Sequence, residues 1–461
     1  MSSPDGDRFP VLAPLAGTIV SFAGGDGTSV RAGQELVVVE SMKMHHGILS
    51  PVDGLLWTRG LSVGDVVSEG DVLAHVSPTA SIGERMPTPG VSTSIDGERA
   101  DLVEVRRRHD IGLDAARPEA VARRRASGQR TARENVADVC DPGTFVEYGA
   151  LAIAAQRQRR SLTELIERTP ADGLVAGVSR VNSDLFGADS TGCVVMAYDY
   201  TVLAGTQGHQ NHRKTDRMLD LAARNRLPVI FFTEGGGGRP GDTDTAIVSG
   251  LGVPTFHTMG RLSGLVPLIG IASGRTFAGN AALLGCCDVI IATAGASIGM
   301  GGPAMIAGGG LGDVAPDDVG PVEMQFANGV VDLVVADERE AAAAARRFLS
   351  YAQGPLSTWD CPDQTSLRPL VPEDRKRAYD VRTVIATLAD SGSVLELRSA
   401  FGAGVITALV RIAGRPLGLL ANNPLHLGGA IDADAADKGA RFLQLCDAYG
   451  LPVISLCDIR S

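Results

Sequence analysis

Lys43 stands in the run Glu40-Ser41-Met42-Lys43-Met44, between two copies of one sequence pattern set 37 positions apart. A single lysine is ordinarily a solvated surface residue. The flanking repeat and the two methionines single this one out as a covalent attachment point for a prosthetic group, since its amine rides a flexible stem and can form an amide. A second candidate site is Ala278-Gly279-Asn280-Ala281. The N–H groups of Gly279 and Asn280, opening a helix predicted over Gly279–Gly285, would face developing negative charge as an oxyanion hole. Two more glycine runs, Gly235 to Gly238 and Gly299-Met300-Gly301-Gly302-Pro303, would let a ligand lie against bare peptide groups. That makes Gly236, Gly237, Gly301 and Gly302 candidate substrate contacts. Glycine after a strand is more often plain turn chemistry. No run matches G-x-x-x-x-G-K-[ST], so a phosphate-binding P-loop is unsupported.

The elements that must position these residues can be read from pattern. Ala13-Pro14-Leu15-Ala16-Gly17 aligns with Ser50-Pro51-Val52-Asp53-Gly54, and Gly27 to Gly33 aligns with Gly64 to Gly70. After each copy comes a strand, Glu35–Val39 and then Val72–Val76. Short apolar strands between Gly, Asp and Ser turns predict a small β-barrel or flattened sandwich with a pseudo-twofold axis, and place Lys43 at the tip of the joining hairpin. From Ser77 to about Ala100 the chain is rich in Pro, Ser, Thr and Gly, as a flexible linker would be. Arginine-rich helices are expected at Asp101–Arg108 and Pro118–Arg133, their charges read as a solvated face. Buried strands at Cys193–Ala197, Val229–Thr233, Val266–Ala272, Val289–Thr293 and Val330–Val335 alternate with helices such as Lys214–Arg224, which predicts parallel pairing in an α/β lobe.

A second repeat has an offset of 224: Lys214, Arg217, Leu219, Leu227-Pro228-Val229-Ile230 and Glu234 meet Lys438, Arg441, Leu443, Leu451-Pro452-Val453-Ile454 and Asp458. Identities at helical spacing that run on into a strand predict a second lobe of the same build. The expected architecture is therefore multidomain, with an all-β module at 9–77, a linker at 78–100, a first α/β lobe at 101–372 and a partial second lobe at 373–461.

At 461 residues and 44% hydrophobic content, sizeable cores are expected; a net charge of −11 argues against nucleic-acid and anionic-membrane partners. The seven cysteines show neither C-x-x-C nor His-paired spacing, so no metal site is expected and a reducing cytoplasm is. No apolar run is long enough to span a membrane, and residues 1–8 show no targeting segment.

Two resemblances follow. The Met-Lys-Met run with Ala-Pro-x-x-Gly at the first strand resembles the biotinyl (biotin carboxyl carrier) domain; lipoyl domains usually carry Asp-Lys-Ala there. Ala278-Gly279-Asn280-Ala281, Asp141-Pro142-Gly143-Thr144-Phe145-Val146-Glu147 and Asp432 to Lys438 resemble the crotonase-like (ClpP/crotonase) lobes of biotin-dependent acyl-CoA carboxyltransferases, which read Ala-Gly-Gly-Ala where this chain has Asn280. The resemblance implies biotin on Lys43, charged by a separate ATP- and bicarbonate-dependent biotin carboxylase after attachment by a biotin protein ligase. It also implies a homo-oligomer that transfers a carboxyl group from carboxybiotin to the α-carbon of an acyl-CoA of the acetyl or propionyl type. Thioester enolate would be held at Gly279 and Asn280, with Asn280 narrowing the pocket, and Lys214, His209 and His212 are candidates to face CoA phosphates. The family usually continues past Asp458 with Pro-Gly, so the resemblance implies an incomplete second lobe, through truncation, a frameshift or completion by another chain, and a turnover that truncation would impair. Two other classes stay open: a biotinylated carrier or scaffold without turnover, and a crotonase-type hydratase or isomerase, for which Glu234 is the obvious acid.

Overall fold

In the computed structural model the described residues are 8–79, 98–244, 252–374 and 376–458. The predicted linker lies almost wholly outside them. Contacts divide the chain into two units, Met1–Arg99 and Ala100–Ser461.

In the first unit, period-2 apolar runs make eight strands: β1 (Phe9–Leu12), β2 (Gly17–Phe22), β3 (Ser29–Val30), β4 (Glu35–Ser41), β5 (Met44–Leu49), β6 (Gly54–Trp57), β7 (Val66–Val67) and β8 (Val72–Pro78). They form two four-stranded sheets, β1-β8-β6-β3 and β5-β4-β2-β7. The two sheets enclose Ile19, Leu36, Val39, Leu56, Leu73 and Val76, each fully or almost fully buried. Burial of each leucine contributes about 1.5–3 kcal/mol. The twofold relation is visible bond by bond. Ala13 N–H donates to Asp71 O and Gly70 N–H to Ala13 O, both at 2.8 Å; their symmetry mates are Ser50 N–H to Gln34 O and Gly33 N–H to Ser50 O, also at 2.8 Å. Close approach explains the paired glycines: a Cβ on Gly17 would lie 2.4 Å from Glu40 O, and one on Gly54 would lie 2.2 Å from Ser77 O.

The second unit is built on a seven-stranded sheet, ordered β17-β15-β13-β12-β11-β10-β9. Its strands are β9 (Val146–Glu147), β10 (Leu174–Arg180), β11 (Gly192–Tyr198), β12 (Val229–Phe232), β13 (Leu268–Ala272), β15 (Val289–Thr293) and β17 (Leu333–Val335), with β14 (Arg275–Phe277) and β16 (Ser297–Gly299) paired as a separate ribbon. From β11 to β17 all pairing is parallel, as the buried runs predict, whereas β9 and β10 form an antiparallel edge. The helix expected over Pro118–Arg133 is two helices, α1 (Pro118–Ala126) and α2 (Ala132–Val139). Gly128, at φ 74°, breaks it. Thr131 restarts it, its Oγ1 accepting from Glu134 N–H at 3.1 Å while Glu134 Oε2 accepts from Thr131 N–H at 2.9 Å. Three further helices are α3 (His209–Asn225), α4 (Gly279–Gly285) and α5 (Glu338–Ala352).

The second lobe contains β18 (Leu395–Leu397), β19 (Val405–Ile412), β20 (Arg415–Asn422), α6 (Ala433–Ala448) and β21 (Val453–Leu456). Its order, β18-β19-β20-β21, with two antiparallel pairings and then a parallel one, reproduces β9-β10-β11-β12. Strand β21 falls at the offset of 224 from β12. Among the described residues this sheet has no counterpart of β13, β15 or β17. Phe348 and Leu349 of α5 join Ile291 of β15 and Phe442 and Cys446 of α6 in one core, so the two lobes are packed together.

Candidate functional site

The run Ser41-Met42-Lys43-Met44 closes the β4–β5 hairpin. Ser41 pairs with Met44, leaving Met42 and Lys43 as the two loop residues. Both have positive φ, 50° and 67°. This is the hand that matches strand twist in a two-residue hairpin, normally served by Asn-Gly. Holding two residues with side chains there costs about 1–2 kcal/mol each. The sheet beneath must impose it. Met42 is 95% exposed and Met44 65%, so the lysine stands on an apolar, solvent-facing tip. A rigid, fully presented amine fits an amide-linked biotin and the enzyme that attaches it.

In the second unit, loops at the carboxyl ends of β11, β12 and the β14 ribbon interlock, which is where open parallel sheets place their ligands. Gly236 N–H donates to Ala204 O at 3.2 Å, Gln207 N–H to Gly237 O at 2.8 Å, and Phe277 N–H to Gly235 O at 2.9 Å. Ala278 N–H reaches Gly299 O at 3.0 Å, bringing the turn Gly299 to Gly302 beside the start of α4. Ala278 enters that helix at φ 50°, ψ −119°. A Cβ on Gly279 would meet Gln207 Oε1 at 2.1 Å, so a side chain there would have to displace that amide. Among the described residues neither Gly279 N–H nor Asn280 N–H has an acceptor, and the same holds for Gly301 and Gly302. Free donors on a pinned turn are what an oxyanion requires.

Several sequence expectations change. Asn280 does not narrow a pocket. It is fully buried, its Oδ1 accepting from Gly237 N–H at 2.9 Å and its Nδ2 donating to Gly205 O at 3.3 Å and Thr233 O at 3.2 Å. For the same reason Gly236 and Gly237 do not offer N–H groups to a substrate, because both donors are spent inside the loops. Lys214 turns inward: its Nζ donates to Ala171 O at 3.0 Å and to Leu174 O, and burial pushes it down to about 8. It cannot also serve a solvent-side phosphate. His212 is 3% exposed and bonded to Thr255 Oγ1 at 3.0 Å, with burial pushing its ring down to about 4. Glu234 is buried in a forked pair with Arg124, whose Nη1 lies 2.8 Å from Oε1 and whose Nη2 meets Oε2. Burial raises its pKa against the pull of Arg124. A carboxylate so engaged is not a free acid for hydratase chemistry.

Sequence reasoning missed two networks. Arg124 and Glu234, with Gln129, Tyr200 and Arg275, line a cavity of about 470 Å³ at the sheet's carboxyl edge. Arg239 donates to Asp172 Oδ1 at 2.5 Å and to Thr206 O at 2.9 Å, while Asp172 Oδ2 accepts from Asn211 N–H at 2.8 Å. This chain ties the β11 loop to the start of α3. The only signal was Arg239 and Asp242 following a glycine run, since Asp172 comes from a distant segment.

The carboxyl transferase domain family matches residues 123–461, and the biotin-requiring enzyme family matches residues 10–76. The methylmalonyl-CoA carboxyltransferase 12S subunit of Propionibacterium freudenreichii subsp. shermanii is 31% identical over 379 residues, 80% of this chain and 69% of that protein. The solved structure of a single-chain, multi-domain long-chain acyl-CoA carboxylase superposes with a TM-score of 0.76 at 54% identity, covering 99% of this chain and 43% of that one. A transcarboxylase 12S crystal structure, described as a hexamer with hydrolysed methylmalonyl-CoA bound, gives a TM-score of 0.67 at 28% identity over 80% of this chain and 72% of that one. No helix among the described residues is long and apolar enough to cross a membrane. With its family match running through both α/β lobes and the Lys43 hairpin inside the biotin-requiring segment, this chain belongs to the carboxyl transferase domain family of biotin-dependent enzymes.

Proposed function

We propose that this chain is the carboxyltransferase component of a biotin-dependent acyl-CoA carboxylase, with its biotin on Lys43 and its thioester site at Gly279 and Asn280. The residue that carries the reading is Lys43, presented on a strained two-residue turn in the segment that matches biotin-requiring enzymes. Biotin supplies a transferable carboxyl group at the end of a long arm. The residues of the chain supply the rest. Loss of the α-proton from an acyl-CoA, for which biotin would be the base, would put negative charge on the thioester oxygen. The Gly279 and Asn280 N–H groups, having no acceptor of their own, receive that charge without first breaking a bond, and Asn280's buried amide keeps the turn rigid. Losing one such donor typically costs about 10² to 10³ in rate. Gly301 and Gly302 offer further bare backbone beside it.

The substrate class is a CoA thioester of the acetyl, propionyl or longer-chain type. The partners are a biotin carboxylase using ATP and bicarbonate, a biotin protein ligase, and further copies of the chain. A cytoplasmic setting fits the seven cysteines, all of which are free. The test is intact mass after co-expression with a biotin ligase, followed by acyl-CoA-dependent carboxyl transfer. Wild type should gain one biotin and turn over, and Lys43→Arg should do neither. Labelling that survives Lys43→Arg would refute the attachment site; labelling without turnover would favour the carrier reading.

A further inference from the structure

Between the two lobes lies a cavity of about 150 Å³, lined from the second lobe by Arg398, Lys438 and Arg441 and from the first by Asp288 and Asp332. Lys438 is the repeat mate of Lys214, yet the two lysines end differently. Lys214 is capped by two carbonyls. Lys438 is 2% exposed, lines the cavity and has no hydrogen-bond partner among the described residues.

The remaining groups are unequal in what they have left to give. Asp332 Oδ1 accepts from Arg398 Nε at 2.8 Å and its Oδ2 from Ile290 N–H at 2.8 Å. Asp288 Oδ2 accepts from Leu268 N–H at 2.8 Å and from Tyr449 OH at 2.9 Å. Asp332 is therefore engaged through both oxygens and Asp288 through one. Glu396, whose charge pulls the Lys438 pKa upward, is held by Arg382 through two bonds of 2.7 Å. On the donor side, among the described residues the Arg398 side chain uses only its Nε, and Arg441 makes only a 3.5 Å contact with Cys287 O. Three cations thus face one cavity with donors to spare, and among the described residues none of its acceptors takes a hydrogen bond from the Lys438 ammonium. Burial outweighs the pull of Glu396 and pushes Lys438 down to about 8, a cost that an anion in contact with the ammonium would offset.

We propose that this cavity is a binding site for a small oxyanion, held by Lys438, Arg398 and Arg441 across the junction of the two lobes. The ligand chemistry is a compact carboxylate, bicarbonate or phosphate, since a planar or tetrahedral oxyanion accepts from guanidinium forks and an ammonium together. The site lies apart from the glycine loops and does not rest on the proposed thioester chemistry.

The test uses the full-length chain. Thermal unfolding is followed in phosphate, bicarbonate and acetate, each against chloride at matched ionic strength, and the binding constant of the most stabilising anion is then measured by calorimetry. At least one oxyanion should raise the midpoint above its chloride control, and Lys438→Met should bind it about 10- to 100-fold more weakly, the worth of one charged hydrogen bond. Arg441→Gln, at an exposed position, should weaken it in the same direction and serves where Lys438→Met does not fold. No oxyanion effect beyond chloride, or an effect of equal size in the folded variants, overturns the proposal; the second result would place the anion elsewhere in the molecule.

Discussion

Asn280→Gly would install the residue that the carboxyltransferase resemblance leads one to expect, and the structure predicts that it damages the protein. The asparagine amide makes three buried bonds, at 2.9, 3.2 and 3.3 Å, to loops following β11 and β12. Removing it strands the Gly237 N–H, and an unsatisfied buried donor costs about 1–3 kcal/mol. Two carbonyls lose a shared donor as well, and glycine early in a helix adds about 0.5–1 kcal/mol. The sum is about 3 kcal/mol, concentrated in the three loops that position the Gly279 turn. Because those loops fix where the free N–H groups point, turnover should fall about 10²-fold, comparable to loss of one oxyanion donor. Thermal unfolding of the full chain and acyl-CoA-dependent carboxyl transfer measure the two effects. Asn280→Asp sharpens the test: it keeps the acceptor for Gly237 but sets a carboxylate oxygen against the Gly205 and Thr233 carbonyls, so it too should be impaired. If Asn280→Gly unfolds within a degree of wild type and turns over within twofold, the buried clamp is not what organises this turn.

Arg124→Met should cost about 3–5 kcal/mol in denaturant unfolding by leaving Glu234 charged and unpaired, with most of it recovered in Arg124→Met/Glu234→Gln; equal losses in the single and double variants would contradict the pairing. His212 titrates near 4 in the folded chain against about 6.5 unfolded, so the unfolded state binds more protons between those values. Its contribution is complete above pH 6.5 and is lost as pH falls to 4, about 3 kcal/mol in all. A His212→Asn variant should flatten that part of the stability profile, and parallel profiles would exclude His212 as the group responsible.

The Lys43 hairpin and the two-lobe plan were legible because repetition writes them into the sequence twice. An offset that carries Ala13 onto Ser50 also carries the hydrogen bonds of one half onto the other. Lys214 was misread for a different reason. Periodicity assigns a helix face to a residue, but a lysine stem is long enough to turn its ammonium inward, and Ala171 and Leu174, which receive it, come from a segment about 40 residues away. Asn280 was misread because a residue larger than glycine beside a pocket suggests intrusion. The backbone at Ala278 instead swings the amide into the loops, where it consumes the glycine N–H that had looked available. Which donors remain free is a property of three loops together.

Part of the backbone strain falls where chemistry is proposed. Met42 and Lys43 occupy left-handed conformations at the hairpin tip, Ala278 precedes the free N–H pair, and Leu203 and Ala204 sit in the loop that braces it. Nothing in the sequence marks these positions as strained, because glycine, the residue that would advertise a positive φ, is absent from each. Local preference and tertiary demand disagree there, and the surrounding sheet and loop bonds must supply the difference. A turn held this way resists relaxing when a ligand arrives, so part of the free energy of folding is stored as fixed geometry at the two proposed sites.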